Sequence, residues 1–130
     1  MDCQACGAET VVFAVPRTYR EYLPGEEPGA ALCTHCLTLQ PVADPPADPP
    51  DFGPVSDAIP ESREAAVPLA LLVGLLENLA LYRTEVEDLL AAVERAGVDP
   101  LLVLDRLDRD PDVDAVADLG RRRHQLEQLL

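Results

Sequence analysis

The sequence contains no lysine and no tryptophan. Its ten basic residues are all arginine, set against 24 Asp plus Glu, and the formal net charge is −14. A polyanion of this kind has no global field to attract nucleic acid or anionic lipid, which ranks those partners behind protein. Aromatic residues make up only 4% of the chain, so Leu, Val and Ala must fill any core. Long hydrophobic runs are missing as well. The longest uncharged apolar stretch, Ala65 to Leu76, is too short to span a bilayer, and Met1-Asp2-Cys3 opens without the basic and apolar regions of a secretion signal. The expectation is a soluble, cytoplasmic protein with no membrane partner.

Dense carboxylates keep a protein soluble where concentrated salt screens repulsion and strengthens hydrophobic association. With its acid excess and no lysine, the composition reads as halophilic. A length of 130 residues, 48% of them hydrophobic, holds one ordinary domain or a small module with a companion segment.

Three regions separate by composition. Residues 1–40 hold all four cysteines and the β-branched run Thr10-Val11-Val12-Phe13-Ala14-Val15, which predicts a strand. Residues 41–60 carry seven prolines, which exclude helix and central strand and predict an extended spacer, laid along the rest of the protein through Phe52, Val55 and Ile59. Residues 61–130 are helical in pattern. There Leu72, Leu75, Leu79, Tyr82, Val86, Leu89, Val93 and Ala96 recur at alternating intervals of three and four, a heptad seam. The seam predicts one long helix from about Pro68 to Ala96, stopped by Gly97; the competing reading starts a second helix at a Thr84/Glu87 capping box. Asp99-Pro100 and Asp110-Pro111 each match a helix start, and a last segment ends in Leu126, Leu129 and Leu130. The fold class is therefore α+β: a β-hairpin ribbon, a proline-rich linker, and a helical hairpin or bundle.

The sharpest chemical signal is Cys3-Gln4-Ala5-Cys6 with Cys33-Thr34-His35-Cys36, two Cys-x-x-Cys pairs separated by 26 residues. The two-residue spacing lets a tight turn aim both sulfurs at one ion, Gly7 supplies backbone freedom after the first pair, and four thiolates suit tetrahedral zinc. Cys3, Cys6, Cys33 and Cys36 are the expected ligands of one Zn2+ per chain. A module of about 40 residues has little core of its own, so the ion would contribute to its folding. Iron suits the same four thiolates, and a dithiol redox couple is a further alternative. Four protein ligands leave no position for a metal-bound water, which argues against hydrolytic chemistry.

His35 sits inside the second pair, where a complete thiolate set leaves it solvent-exposed or supporting the ligands from behind. Arg121, Arg122 and Arg123, beside His124, form the one basic cluster; they read as ion-pair partners of the acidic helices, with phosphate contact as the alternative. The run Asp105, Asp108, Asp110, Asp112, Asp114 and Asp118 lacks the glycine and terminal glutamate of an EF-hand and reads as a solvated acidic face. No phosphate loop, nucleophile triad or paired acid and base is evident, so the chain reads as a non-enzyme.

Cys-x-x-Cys-Gly followed by a second Cys-x-x-Cys resembles zinc ribbons and, more loosely, rubredoxins; Leu37 stands here where a rubredoxin has glycine. The segments Val98–Leu107 and Arg121–Leu130 make the whole chain similar to a haloarchaeal family of small zinc-ribbon proteins that carries no assigned activity. That resemblance implies fold and lineage and leaves mechanism open. Together these readings favour a zinc-binding adaptor whose helical region pairs with a protein partner or a second copy. The alternatives are a nucleic-acid-associated ribbon, using His35, Arg17, Arg20 and Arg121 to Arg123, and a thiol or iron redox protein.

Overall fold

The structure, a computed structural model, describes residues 1–129. It is α+β, as the sequence predicts. A three-stranded antiparallel sheet of order β1-β2-β3 is formed by Thr10–Ala14, Gly29–Cys33 and Leu39–Val42. Thr10 pairs with Cys33 and Leu32 with Leu39, so the register places both ends of the second cysteine pair at one end of the sheet. Strand β2 is central and buried along its whole length. Strand β3 carries Pro41, which lacks an amide donor; an exposed position on an edge strand tolerates it.

Four helices follow: α1 (Arg63–Leu75), α2 (Arg83–Arg95), α3 (Pro100–Arg109) and α4 (Leu119–Glu127). Nearly every residue of α1 is buried, because the sheet, the proline-rich segment and α2 all cover it. One continuous core runs from Phe13 and Leu32 through Phe52, Val55 and Ile59 to Leu104 and Leu126. The proline-rich segment is pinned as its apolar residues predict, with the Phe52 ring edge-on to Phe13 at 5.2 Å. Sheet and helix approach closely at Gly74, where a Cβ would collide with the Leu39 side chain, its Cδ2 lying 2.9 Å away.

The single long helix from Pro68 to Ala96 is not formed. The chain turns back at residues 76–82, through a short 3-10 turn (Leu76–Asn78) in which the Asn78 carbonyl accepts from the amides of Leu81 and Tyr82. An unbroken helix would leave much of the apolar surface of α1 without cover. Folding back buries Leu72, Leu75, Leu79, Val86, Leu89 and Val93 in the chain's own core. The heptad seam is thus consumed within one chain. Helix α2 begins at Arg83, and Thr84 makes no capping bond: the position before Arg83 is Tyr82, without a side-chain cap.

Asp99 caps α3 as expected, accepting from Leu101 and Leu102 ahead of an N-terminal proline. Asp110-Pro111 does not start a helix. The Asp110 carboxylate is taken by Ser56 and by the Asp112 amide, and the amides of Asp114 and Val116 donate to carbonyls of the second cysteine turn, which holds that segment out of a helix. The last helix begins instead at Leu119, capped by Asp118. Leu126 is buried and Leu129 packs at the core's edge, while Leu130 lies outside the described residues.

Candidate metal centre

The four sulfurs converge. The Sγ atoms of Cys3, Cys6, Cys33 and Cys36 all lie within 4.8 Å of one another, with Cys3 and Cys36 3.7 Å apart and Cys6 and Cys33 3.4 Å apart. None is joined in a disulfide. A metal–sulfur bond of about 2.3 Å sets tetrahedral sulfurs about 3.8 Å apart, so the cluster has the size a single ion requires. Among the described residues this is where His, Cys, Asp or Glu side chains converge in the number a metal needs.

Two turns of the same design present the sulfurs. In the first, the Cys3 amide donates to Ala8 O at 2.8 Å; in the second, the Cys33 amide donates to Thr38 O at 3.0 Å. The amide two residues after each leading cysteine points at its sulfur, Ala5 to Cys3 at 3.3 Å and His35 to Cys33 at 3.3 Å. Each turn closes through a left-handed residue directly after its second cysteine, Gly7 at φ 81° and Leu37 at φ 60°. The sheet brings the turns together: Thr34 N and Oγ1 both donate to Glu9 O, and Gln40 on β3 accepts from the Gln4 amide at 3.1 Å.

The electrostatics are uneven across the cluster. Burial opposes the Cys3 thiolate, yet the amides of Cys6 and Ala5 and the neighbouring Cys36 and Cys33 thiols outweigh it, and the thiol falls to about 7. Burial dominates at Cys33 and pushes it up to about 12 against the amides of Cys36 and His35; Cys36 is also raised by burial, against the Thr38 hydroxyl 3.0 Å from its sulfur. Four thiolates this close repel one another, and a cation in their midst removes that repulsion. Cys6 alone of the four is exposed, so the centre sits at the surface with three sulfurs covered.

The second turn is also docked on the helical region. Asp114 N donates to His35 O at 2.8 Å and Val116 N to Cys36 O at 3.0 Å, while the exposed His35 ring places Nδ1 3.0 Å from Asp112 O. His35 therefore lies outside the sulfur cluster and braces the segment between α3 and α4. The basic residues do not gather at the centre. Arg17 is exposed on a 3-10 turn and Arg20 donates to Val15 O. Arg123 is paired with Glu127 and Asp105, whose contacts hold its guanidinium more firmly protonated, whereas Arg122 reaches Gln125 Oε1 and Glu77 O. The aspartates predicted as one solvated face are in part structural: Asp105 pairs with Arg123, Asp110 binds Ser56 and Asp118 caps α4. Leu37, Thr38 and Gln40 support the centre, and no spacing pattern in the sequence marks them.

A family of unknown function, DUF6276, has a sequence profile that matches residues 2–130, and the chain belongs to that family. No curated protein and no solved structure matches the chain. Among the described residues, no helix is long and apolar enough to cross a membrane.

Proposed function

We propose that the chain is a non-enzymatic metal-centre protein in which one zinc ion, held by Cys3, Cys6, Cys33 and Cys36, fixes two turns and the surface built around them for recognition by a protein partner. The observation that supports the metal is the mutual approach of four sulfurs to within 4.8 Å in two turns of matching design. Four protein donors complete a tetrahedron and leave no place for a reacting water, so the ion's role is structural. Iron would fit the same donors, and metal identity separates the two.

The helical seam is buried within the chain, so the adaptor reading rests on other surface, around the docked segment 112–116 and the exposed Leu81. The acidic composition suits a cytoplasm of concentrated salt. There the melting temperature is expected to rise with KCl as repulsion within the −14 chain is screened.

The test is metal content and thiol reactivity of protein purified in concentrated KCl without added metal. One zinc per chain, with four thiols reacting only after chelation, and faster hydrogen exchange at the Asp114 and Val116 amides in the chelated protein, is the expected result. Freely reactive thiols with no bound metal would reject the reading, and iron would replace the structural role with a redox one.

A further inference from the structure

In a chain with 24 acidic residues and ten arginines, two arginines line one cavity. It measures about 350 Å³ and lies between the turn joining α1 to α2 and the C-terminal helix α4. Arg83 and Arg122 supply its charge, Gln125 and Gln128 its amides, and Leu79 and Leu129 its apolar wall. The volume lies within the range of small-molecule sites.

Arg122 is the informative residue. Its neighbour Arg123 is engaged by two carboxylates, but Arg122 meets none among the described residues. Its guanidinium is instead steadied by two neutral acceptors, Gln125 Oε1 at 2.9 Å and Glu77 O at 3.4 Å. Neutral acceptors orient a guanidinium without neutralising it. Arg83 pairs with Glu87 at 3.5 Å, with both side chains substantially exposed, a contact that costs little to exchange. Arg83 is also the first residue of the 13-residue helix α2, whose opening turn has no side-chain cap, so the local backbone field favours an anion.

We propose that this cavity binds a small organic monocarboxylate, its head group taken by Arg122 and Arg83 and its short apolar body lying against Leu79 and Leu129. A guanidinium matches a carboxylate with two parallel hydrogen bonds. The apolar wall requires a ligand with an apolar part, which an inorganic anion lacks. A single negative charge is repelled less by the surrounding acidic chain than a phosphate dianion.

The test is a nuclear magnetic resonance titration of the metal-loaded full chain in concentrated KCl with n-hexanoate, with n-hexanol and inorganic phosphate as controls. Saturable shifts at Leu79, Ala80 and Leu129, with Kd of about 1 mM, are expected for hexanoate alone. Arg122→Gln should weaken binding at least tenfold and Arg121→Gln should leave it unchanged. Arg83→Gln, at a more exposed position, provides a second variant that should weaken binding if Arg122→Gln does not fold. Absence of saturable shifts, equal binding of hexanol, tighter binding of phosphate, or wild-type affinity in Arg122→Gln would each overturn the assignment.

Discussion

Leu37 occupies in the second cysteine turn the left-handed backbone conformation that Gly7 occupies in the first, at φ 60° and 81°. The two residues meet the same geometric demand at different cost. Glycine adopts it freely, whereas an L side chain pays about 1–2 kcal/mol. Leu37 is buried in the main core, and the area its side chain removes from water offsets that strain. Leu37 thereby joins the metal turn to the helices.

Exchanging those roles gives the first prediction. At Gly7 a Cβ would meet nothing within 4 Å, so Gly7→Ala isolates backbone strain and should cost about 1–2 kcal/mol. Leu37→Gly relieves comparable strain but strips a buried leucine, and the net loss should be about 1–3 kcal/mol. Denaturant titration of the metal-loaded proteins measures both. A neutral Gly7→Ala would show that the turn relaxes without strain.

The approach of α1 to β3 makes Gly74 the second test. Gly74→Ala drives a methyl into Leu39 and should destabilise by about 1–3 kcal/mol. Combined with Leu39→Ala, its effect should fall well short of the sum of the single changes, because the clash and the vacated space cancel. Additive losses in thermal unfolding would place the strain elsewhere.

A third prediction concerns acid. The Ser56 hydroxyl, 2.6 Å from Asp110 Oδ2, and then the Asp112 amide hold the Asp110 carboxyl below its ordinary value. A carboxyl lowered by folding contributes stability above the unfolded value near 3.9 and loses it as pH falls through the lowered folded value. Ser56→Ala should therefore cost about 1 kcal/mol at neutral pH, and the Asp110 carboxyl carbon should titrate at higher pH in the variant than in the parent. Coincident titration curves would remove the hydroxyl as the cause.

The convergence of the four cysteines, strand β1, the Asp99 cap and the anchoring of the proline-rich segment were legible because each depends on local chemistry or on a few apolar residues in sequence. The turn at residues 76–82 was legible only as the competing reading, a second helix starting at Thr84, one residue from the observed start at Arg83. A heptad pattern reports only that one face is apolar, and the same face can be covered by a second helix of the same chain or by a partner. Strand β3 is four residues long and contains a proline, which the pairing edge tolerates but a sequence pattern reads against. Asp110-Pro111 failed as a helix start because its carboxylate and the following amides are claimed by Ser56 and by the second cysteine turn, residues distant in sequence. The strain at Leu37 was hidden for the same reason: its compensation is tertiary.

A zinc centre built from the four cysteines is tested by X-ray absorption at the metal edge of protein purified without added metal. The expected result is zinc with four sulfur neighbours at about 2.3 Å and no oxygen or nitrogen neighbour. A mixed shell containing nitrogen or oxygen, or fewer than four sulfurs, would contradict a centre built from Cys3, Cys6, Cys33 and Cys36.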